Sequence, residues 1–427
     1  MGADRRSPLR RRPFALLWSA GLVSDLGDWM LLIGLPVFVF QLTGSALTTS
    51  TVFVAELVPA LLVGQAGGVF VDRWDRRRIL VVAGLLQAVL LLPLLAVSSA
   101  SDLWIVYLVA GAESALARVC GPATAALIPS LVARDELQAA NAANAVSSNI
   151  ARLVGSPLGG LAVQLLGLGG IVLVDAATFV AAALLVAMVR VPGGTTTDPD
   201  REDHGATPVP GPAPRVTLLA DWIDGLRTIA RLPTLRAAIA IGAASQVAQG
   251  IFVVLFVVFV LDVLGADGAA VGLIRGVQAI GGVAAGVLIG SIGARVGNRA
   301  LVGWGFIAFG LISLATWNAS RVTDAVPVYV ILFMIVGIPA VATSVGLQSI
   351  IQTVTPPTHL GRVFAAFEAG AGLLQVVGVV IAGALTDLIG VLPILNVQAS
   401  IYVMCGFAAL LLLRSAKGAR LVPAGAA

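Results

Sequence analysis

Apolar residues along this chain fall in long uninterrupted blocks rather than in short alternating runs, with polar punctuation confined to the gaps. Each block approaches or exceeds the ~20 residues that a helix needs to cross a bilayer. They predict helices at 14–40, from the turn at 41–45 to about 70, and at 79–98, 103–128, 137–167 and 169–189. A second series follows at 236–261, 269–292, 300–317, 326–350, 362–388 and 392–413. Six spans are thus followed by six more.

Two interruptions differ from simple turns. Between the second and third blocks lies the run Gly67-Gly68-Val69-Phe70-Val71-Asp72-Arg73-Trp74-Asp75-Arg76-Arg77-Arg78. An arginine at a bilayer centre costs about 3 kcal/mol on the insertion scale, so this run predicts a tight turn at the membrane surface. Between the two halves, residues 191–216 are rich in Pro, Gly, Thr and acid, a composition too poor in apolar residues to order itself. After this linker Leu218, Leu219, Trp222, Ile223, Leu226 and Ile229 recur at helical spacing, with Asp221, Asp224, Arg227 and Arg231 on the other side. That pattern predicts an amphipathic helix lying in the membrane interface over 217–234.

Composition agrees with a many-spanning membrane protein: 427 residues, mean hydropathy +1.00, 58% hydrophobic and 11% charged. Soluble domains carry about 25% charged residues. The net charge of +4 forms no basic face suited to nucleic acid and follows membrane topology instead. With the N-terminus inside, the arginines of the amino tail, the 67–78 run, the turns at Arg134, Arg295 to Arg299 and Arg362, and the C-terminal tail all fall on one side. Arg321 alone breaks the pattern. Both termini and the linker are expected in the cytoplasm of a cell whose inner membrane holds the chain. The arginine-rich start and long first block indicate a retained first helix rather than a cleaved leader. Cys120 and Cys405 sit in apolar blocks, His204 and His359 lack partners at ligand spacing, and no metal site, nucleotide-binding loop or nucleophile elbow is present. No cofactor and no enzymatic activity are expected.

The halves repeat. Gly68 to Arg77 aligns with Gly290 to Arg299, Gly27 with Gly250, Leu137 with Leu360 and Gly160 with Gly383, all at offsets of 222 or 223. The expected architecture is all-α and integral to the membrane: twelve transmembrane helices in two six-helix bundles related by pseudo-two-fold symmetry. Its divisions are a tail 1–13, a bundle 14–190, the linker 191–216, the interfacial helix 217–234, a bundle 235–413 and a tail 414–427.

Ionisable residues inside spans are expensive and are functional candidates by default. Asp25 and Asp28 share a face of the first helix, Glu56 lies in the second, Glu113 and Arg118 in the fourth, Arg152 in the fifth and Asp175 in the sixth. The second half contributes Arg275 and Glu368. Asp28, Glu56, Glu113 and Arg152 lie near the midplane by residue count and are expected to face a common cavity. Asp25, Asp28, Glu56, Glu113, Arg118, Arg152 and Glu368 are the candidates for proton coupling or cavity lining. For Glu113, Arg118 and Arg152 structural ion pairing is the competing role.

The glycine, three residues, Asp-Arg and closing basic cluster at Gly68, Asp72, Arg73, Arg76, Arg77 and Arg78 resembles the signature of the major facilitator superfamily of secondary transporters. The segments Pro129 to Asn141 and Ala151 to Gly155 resemble its enterobactin and macrolide exporter branch. The resemblance implies the major facilitator fold and alternating access around a midplane cavity. It further implies proton-coupled efflux of a small amphipathic compound such as a macrolide, another drug or a siderophore. A lipid or lysolipid flippase of the same fold, or a transport-inactive sensor or assembly protein, is the alternative. The implied partners are a small-molecule substrate, protons and membrane lipids, with no nucleic acid, and the chain is expected to be a monomer. By resemblance, Gly64, Gly68, Asp72, Arg73, Arg76 and Arg77 form a conformational latch in which Asp72 meets the positive N-terminus of the eleventh helix. In the second copy the acid is replaced by Ala294. Gly155-Ser156-Pro157-Leu158-Gly159-Gly160 resembles the fifth-helix signature of proton-coupled exporters with its proline one place late. Gly155, Pro157, Gly159 and Gly160 are expected to bend and thin that helix.

Asp72→Asn is expected to leave membrane abundance nearly intact while cutting transport several-fold, and substitution of Ala294 to do far less. Quantitative immunoblotting beside a transport assay measures both, and equal loss of abundance and transport would reduce the run to a topological anchor.

Overall fold

The computed structural model describes residues 8–64, 74–190, 218–292 and 296–413. Gly68, Asp72 and Arg73 of the expected latch, Ala294 and Arg295 of its repeat, residues 191–216 of the linker and much of both tails lie outside them. The first half comprises α1 (Arg12–Thr43), α2 (Ala46–Gly64), α3 (Arg76–Leu91, extended by the 3-10 turn Leu92–Ala96), α4 (Leu103–Leu127) and the helical segment Leu137–Ala187. That segment has 51 residues, ~76 Å if straight, more than twice the ~30 Å of hydrocarbon. It breaks at Gly167, whose φ of 64° and ψ of −169° are not helical, into two arms, α5 (137–166) and α6 (168–187). A side chain at Gly34 of α1 would meet Ile171 on one arm and lie 3.5 Å from the Gly159 carbonyl on the other. The arms therefore flank α1 as a hairpin.

The second half begins with α7 (Leu218–Arg231). It continues through α8 (Pro233–Val258, ending in the π-helical turn Phe259–Val263), α9 (Gly268–Ile292), α10 (Asn298–Ala319), α11 (Val326–Val354), α12 (Leu360–Ile389) and α13 (Val391–Leu412). Twelve membrane-length helices, α1–α6 and α8–α13, are thus present among the described residues. Backbone polar groups in hydrocarbon must be satisfied within each segment, which selects helices, and large apolar side chains such as Leu62, Val82, Leu165, Val287 and Leu411 cover the outside.

The bundles meet along two seams, α5 with α9 and α2 with α12. Lipid is as apolar as leucine, so close packing rather than hydrophobicity holds membrane helices together. A Cβ on Gly160 would strike the Gly268 backbone, one on Gly272 the Ser156 carbonyl, and one on Gly276 would lie 2.9 Å from Pro157 Cδ. Gly383 fits equally tightly against Ser50 and Leu47. Around these contacts, on the side of the α1–α2 turn, a continuous apolar core joins both bundles through Val37, Ile251, Leu255, Phe259, Val271 and Ile274.

Arg76 and Arg77 of the 67–78 run face their own bundle. Arg76 donates to the Ala126 carbonyl (3.3 Å) at the end of α4, and Arg77 donates to the Val186 carbonyl (3.3 Å) and to that of Ala187 at the end of α6. In the repeat, Arg299 donates to the Leu410 carbonyl at the end of α13. These carbonyls are the acceptors that a helix end leaves without an intrahelical partner. Asp75 Oδ1 accepts from the Arg78 amide (2.8 Å) and caps α3.

Helix α7 packs on α12 and α8. Gly225 lies against the Arg362 carbonyl. Asp224 accepts from Arg362 Nη1 at 2.6 Å and stands 3.6 Å from His359 Nε2. The hydrogen bond from Arg362, reinforced by the charges of Arg362, His359 and Arg227, holds the Asp224 carboxyl below the usual range.

Two outcomes are expected. Gly160→Val and Gly272→Val, which force the α5–α9 seam apart, should each destabilise by about 1–3 kcal/mol, whereas Gly121→Ala, with open space around it, should be neutral; thermal unfolding in detergent measures this. Because the folded carboxyl of Asp224 is depressed, its contribution to α7 docking is complete above the ordinary carboxylate value near ~3.9 and is lost as pH falls through the folded value. Amide protection of α7 relative to the intrinsic exchange rate should stay flat from neutral pH to mild acid and then fall, while Asp224→Asn should show low protection throughout.

Candidate transport cavities

Each bundle encloses a cavity displaced from the apolar seam core toward the side of the chain termini. The first, about 470 Å³, is lined from α1 by Ser24, Asp25 and Asp28, from α3 by Gln87, from α4 by Cys120, Gly121 and Thr124, from the turn after it by Ile128, from α5 by Asn141, Asn144, Ser147 and Ser148, and from α6 by Phe179. The second, about 400 Å³, is lined from α8 by Ser245, Gln246 and Gln249, from α9 by Arg275 and Gln278, and from α10 by Phe306 and Phe309. Thr343, Ser344, Leu347 and Ile351 line it from α11, Phe364, Phe367, Glu368 and Ala371 from α12, Tyr402 from α13, and Arg152 of α5 reaches in from the other bundle.

The walls correspond in the register of the sequence repeat. Cys120, Gly121, Thr124 and Ile128 answer to Thr343, Ser344, Leu347 and Ile351, and Phe179 answers to Tyr402. The chemistry diverges at Asn141, Asn144 and Ser148, whose counterparts are Phe364, Phe367 and Ala371, and at Gln87, whose counterpart is Phe309. One cavity is polar and acidic. The other is aromatic, with Tyr402 stacked on Phe309 at 4.4 Å between centroids, and carries two guanidinium groups.

The acids of the first bundle gather around its cavity. Asp28 is exposed to it, and Asp25 Oδ2 accepts from Ser148 Oγ at 3.0 Å. Asp175 and Glu113 lie behind, within electrostatic reach of Asp28. Asp175 is fully buried where α6 presses on Gly27, accepts from Thr178 at 3.2 Å through Oδ1, and leaves Oδ2 without a hydrogen bond. Glu113 Oε1 accepts from Gln87 Nε2, and its Oε2 is buried and unpartnered. Among the described residues no basic group stands within 4.0 Å of any of these four carboxyls.

The expected common cavity is not found. Asp25 and Asp28 line the first cavity, Arg152 and Glu368 line the second, and Glu113 reaches the first only through Gln87. Glu56 lines neither, and its carbonyl accepts from Ser114 Oγ at 2.7 Å. Arg118 is exposed on a face of α4 turned from the cavity. The separation arises because the seams bring α5 to α9 and α2 to α12, so residues at one depth are partitioned by the packed helices between them. The glycines of the fifth-helix motif serve close approach: Gly155 lies under Trp29 and the Leu26 carbonyl, Gly159 against the Met30 backbone, and Gly160 against α9. Reasoning from ionisable residues alone overlooked Gln87 and Gln278. Amide side chains inside otherwise apolar spans were the available signal for them.

The chain matches the family model for transmembrane secretion effectors over residues 3–423. It is 26% identical to the multidrug efflux pump Tap of Mycolicibacterium fortuitum across 89% of this chain and 91% of Tap. It is also 28% identical to macrolide efflux protein A of Streptococcus pyogenes across 42% of this chain and 45% of that one. Among solved structures it superposes on the nucleoside transporter NupG with a TM-score of 0.70, covering 94% of this chain and 99% of that one at 12% identity.

Proposed function

The chain belongs to the transmembrane secretion effector family of the major facilitator superfamily, and on that premise we propose that it exports a small amphipathic compound in exchange for protons by alternating access. It is a multi-pass membrane transporter and not an enzyme; export, its coupling ion and its cargo are the reading offered here. The observation that carries proton exchange is the set of carboxyls around the first cavity, Asp28 foremost, with no basic partner within 4.0 Å among the described residues. A carboxylate in such a place changes its proton occupancy when the cavity passes between wet and closed states, because desolvation penalises its charged form. The names of Tap and of macrolide efflux protein A support drug-like cargo. Packing closed at the α1–α2 turn, with both cavities toward the termini, fits an inward-facing state if the termini are cytoplasmic, as the arginine distribution favours.

In cells expressing the protein, a protonophore should raise retention of a fluorescent drug to the empty-vector level. Asp28→Asn should abolish gradient-driven efflux in proteoliposomes while sparing downhill exchange of the same compound. Retention indifferent to the protonophore across several drug classes would refute proton-driven export.

A further inference from the structure

Gln278 makes a polar contact between the two bundles. Its carboxamide oxygen accepts from Arg275 Nη1 at 2.8 Å, one turn earlier on α9, and also from Arg152 Nη2 on α5. The two guanidinium groups, one from each bundle, therefore converge on a single neutral acceptor. Each is backed by a ring, Arg152 over Trp29 at 5.4 Å and Arg275 over Phe252 at 4.9 Å. Arg152 Nε is buried without a hydrogen bond. Among the described residues no carboxylate lies within 4.0 Å of either guanidinium. Glu368 lines the same cavity and leaves it with two cations against one acid.

A structural role accounts poorly for this arrangement. An ion pair would place an acid between the arginines. Here two like charges are held together at membrane depth, where each is costly alone, and a single amide dipole with two aromatic faces offsets only part of that cost. An anion would answer both guanidinium groups and the unpartnered Arg152 Nε. A carboxylate or a comparable oxyanion presents several acceptor lone pairs to the guanidinium forks, and charge-assisted bonds of this kind are about twice as strong as neutral ones. The remaining wall, with Phe306, Phe309, Phe367 and Tyr402, offers aromatic surface to the rest of such a molecule.

We propose that Arg152 and Arg275 form an anion-binding subsite in the second cavity, with Gln278 as the acceptor that occupies it at rest, so that the cargo is an aromatic or amphipathic molecule bearing a carboxylate or similar oxyanion. Naming that ligand as cargo rests on the export reading; the subsite itself does not. Because Arg152 and Arg275 come from different bundles, the anion bridges them, and its arrival and departure bear on the relation between the two halves.

The test is equilibrium binding of dansylglycine and of its methyl ester to the purified full-length protein in detergent, read by dansyl emission. The two probes share the fluorophore and differ in the carboxylate. The wild type should bind the acid at least ~10-fold more tightly than the ester, as expected for one charge-assisted contact of about 1.4 kcal/mol. Arg152→Gln and Arg275→Gln should each erase most of that preference by weakening acid binding several-fold more than ester binding, and Arg275→Lys should retain part of it. Absence of a carboxylate preference in the wild type would overturn the proposal, and so would equal loss of both probes in the glutamine variants with monodisperse elution preserved. If a variant does not elute as a single species, the wild-type comparison decides alone. No gradient enters the measurement: a protein that prefers the acid but is indifferent to a protonophore loses the export reading and keeps the subsite, and one that exports by gradient but binds acid and ester alike keeps export and loses the subsite.

Discussion

The hydrocarbon interior offers no water to a peptide group, and from that one constraint most of the molecule follows. Each crossing must close its own backbone hydrogen bonds, so the chain is helical wherever it is embedded. Helices that gain nothing by hiding apolar surface from equally apolar lipid must instead hold together by shape. Hence the glycine-lined seams: Gly160 against Gly268, Gly272 against Ser156 and Gly383 against Ser50 bring backbones together where any side chain would keep them apart. The same constraint gives meaning to each embedded charge, because a carboxyl or guanidinium retained there persists against its cost.

The spans were legible in the sequence because the bilayer writes its thickness into the length of each apolar block. Even the break that divides the 51-residue helical segment was marked, by Gly167 between two apolar runs. The amphipathic helix was legible because its apolar residues recur at helical spacing, and α7 is found over 218–231. The partition of the embedded charges into separate cavities was not legible. Depth along a helix can be counted from its end, but the direction a residue faces depends on which neighbours pack beside it, and α5 touches both α1 and α9. Counting depth placed Arg152 with Asp28, whereas the seam placed it with Arg275. The arginines of the 67–78 run teach the same lesson. Their charge predicts a membrane surface, but a carbonyl at the end of a distant helix leaves no mark in sequence, and such carbonyls are what Arg76 and Arg77 hold.

Duplication gave both bundles the same hollow, and divergence gave the hollows different contents. Where the first kept Asn141, Asn144 and Ser148 beside its acids, the second placed Phe364, Phe367 and Ala371 beside its arginines. Acids without a basic partner around one cavity, and two cations against one acid around the other, are each uncomfortable arrangements. The two cavities thus differ in charge, and the contact of Arg152 with Gln278 joins the two halves.

The paired contacts of Arg77 with the end of α6 and of Arg299 with the end of α13 have a mechanical meaning. Each fastens the start of one peripheral helix to the finish of another within the same bundle, like a strap across the rim of a barrel stave. A strapped bundle resists shear among its outer helices and tends to travel as a solid piece. Between the bundles the glycine seams pack backbone against backbone, and the hydrogen bond from Arg152 to Gln278 crosses the α5–α9 seam.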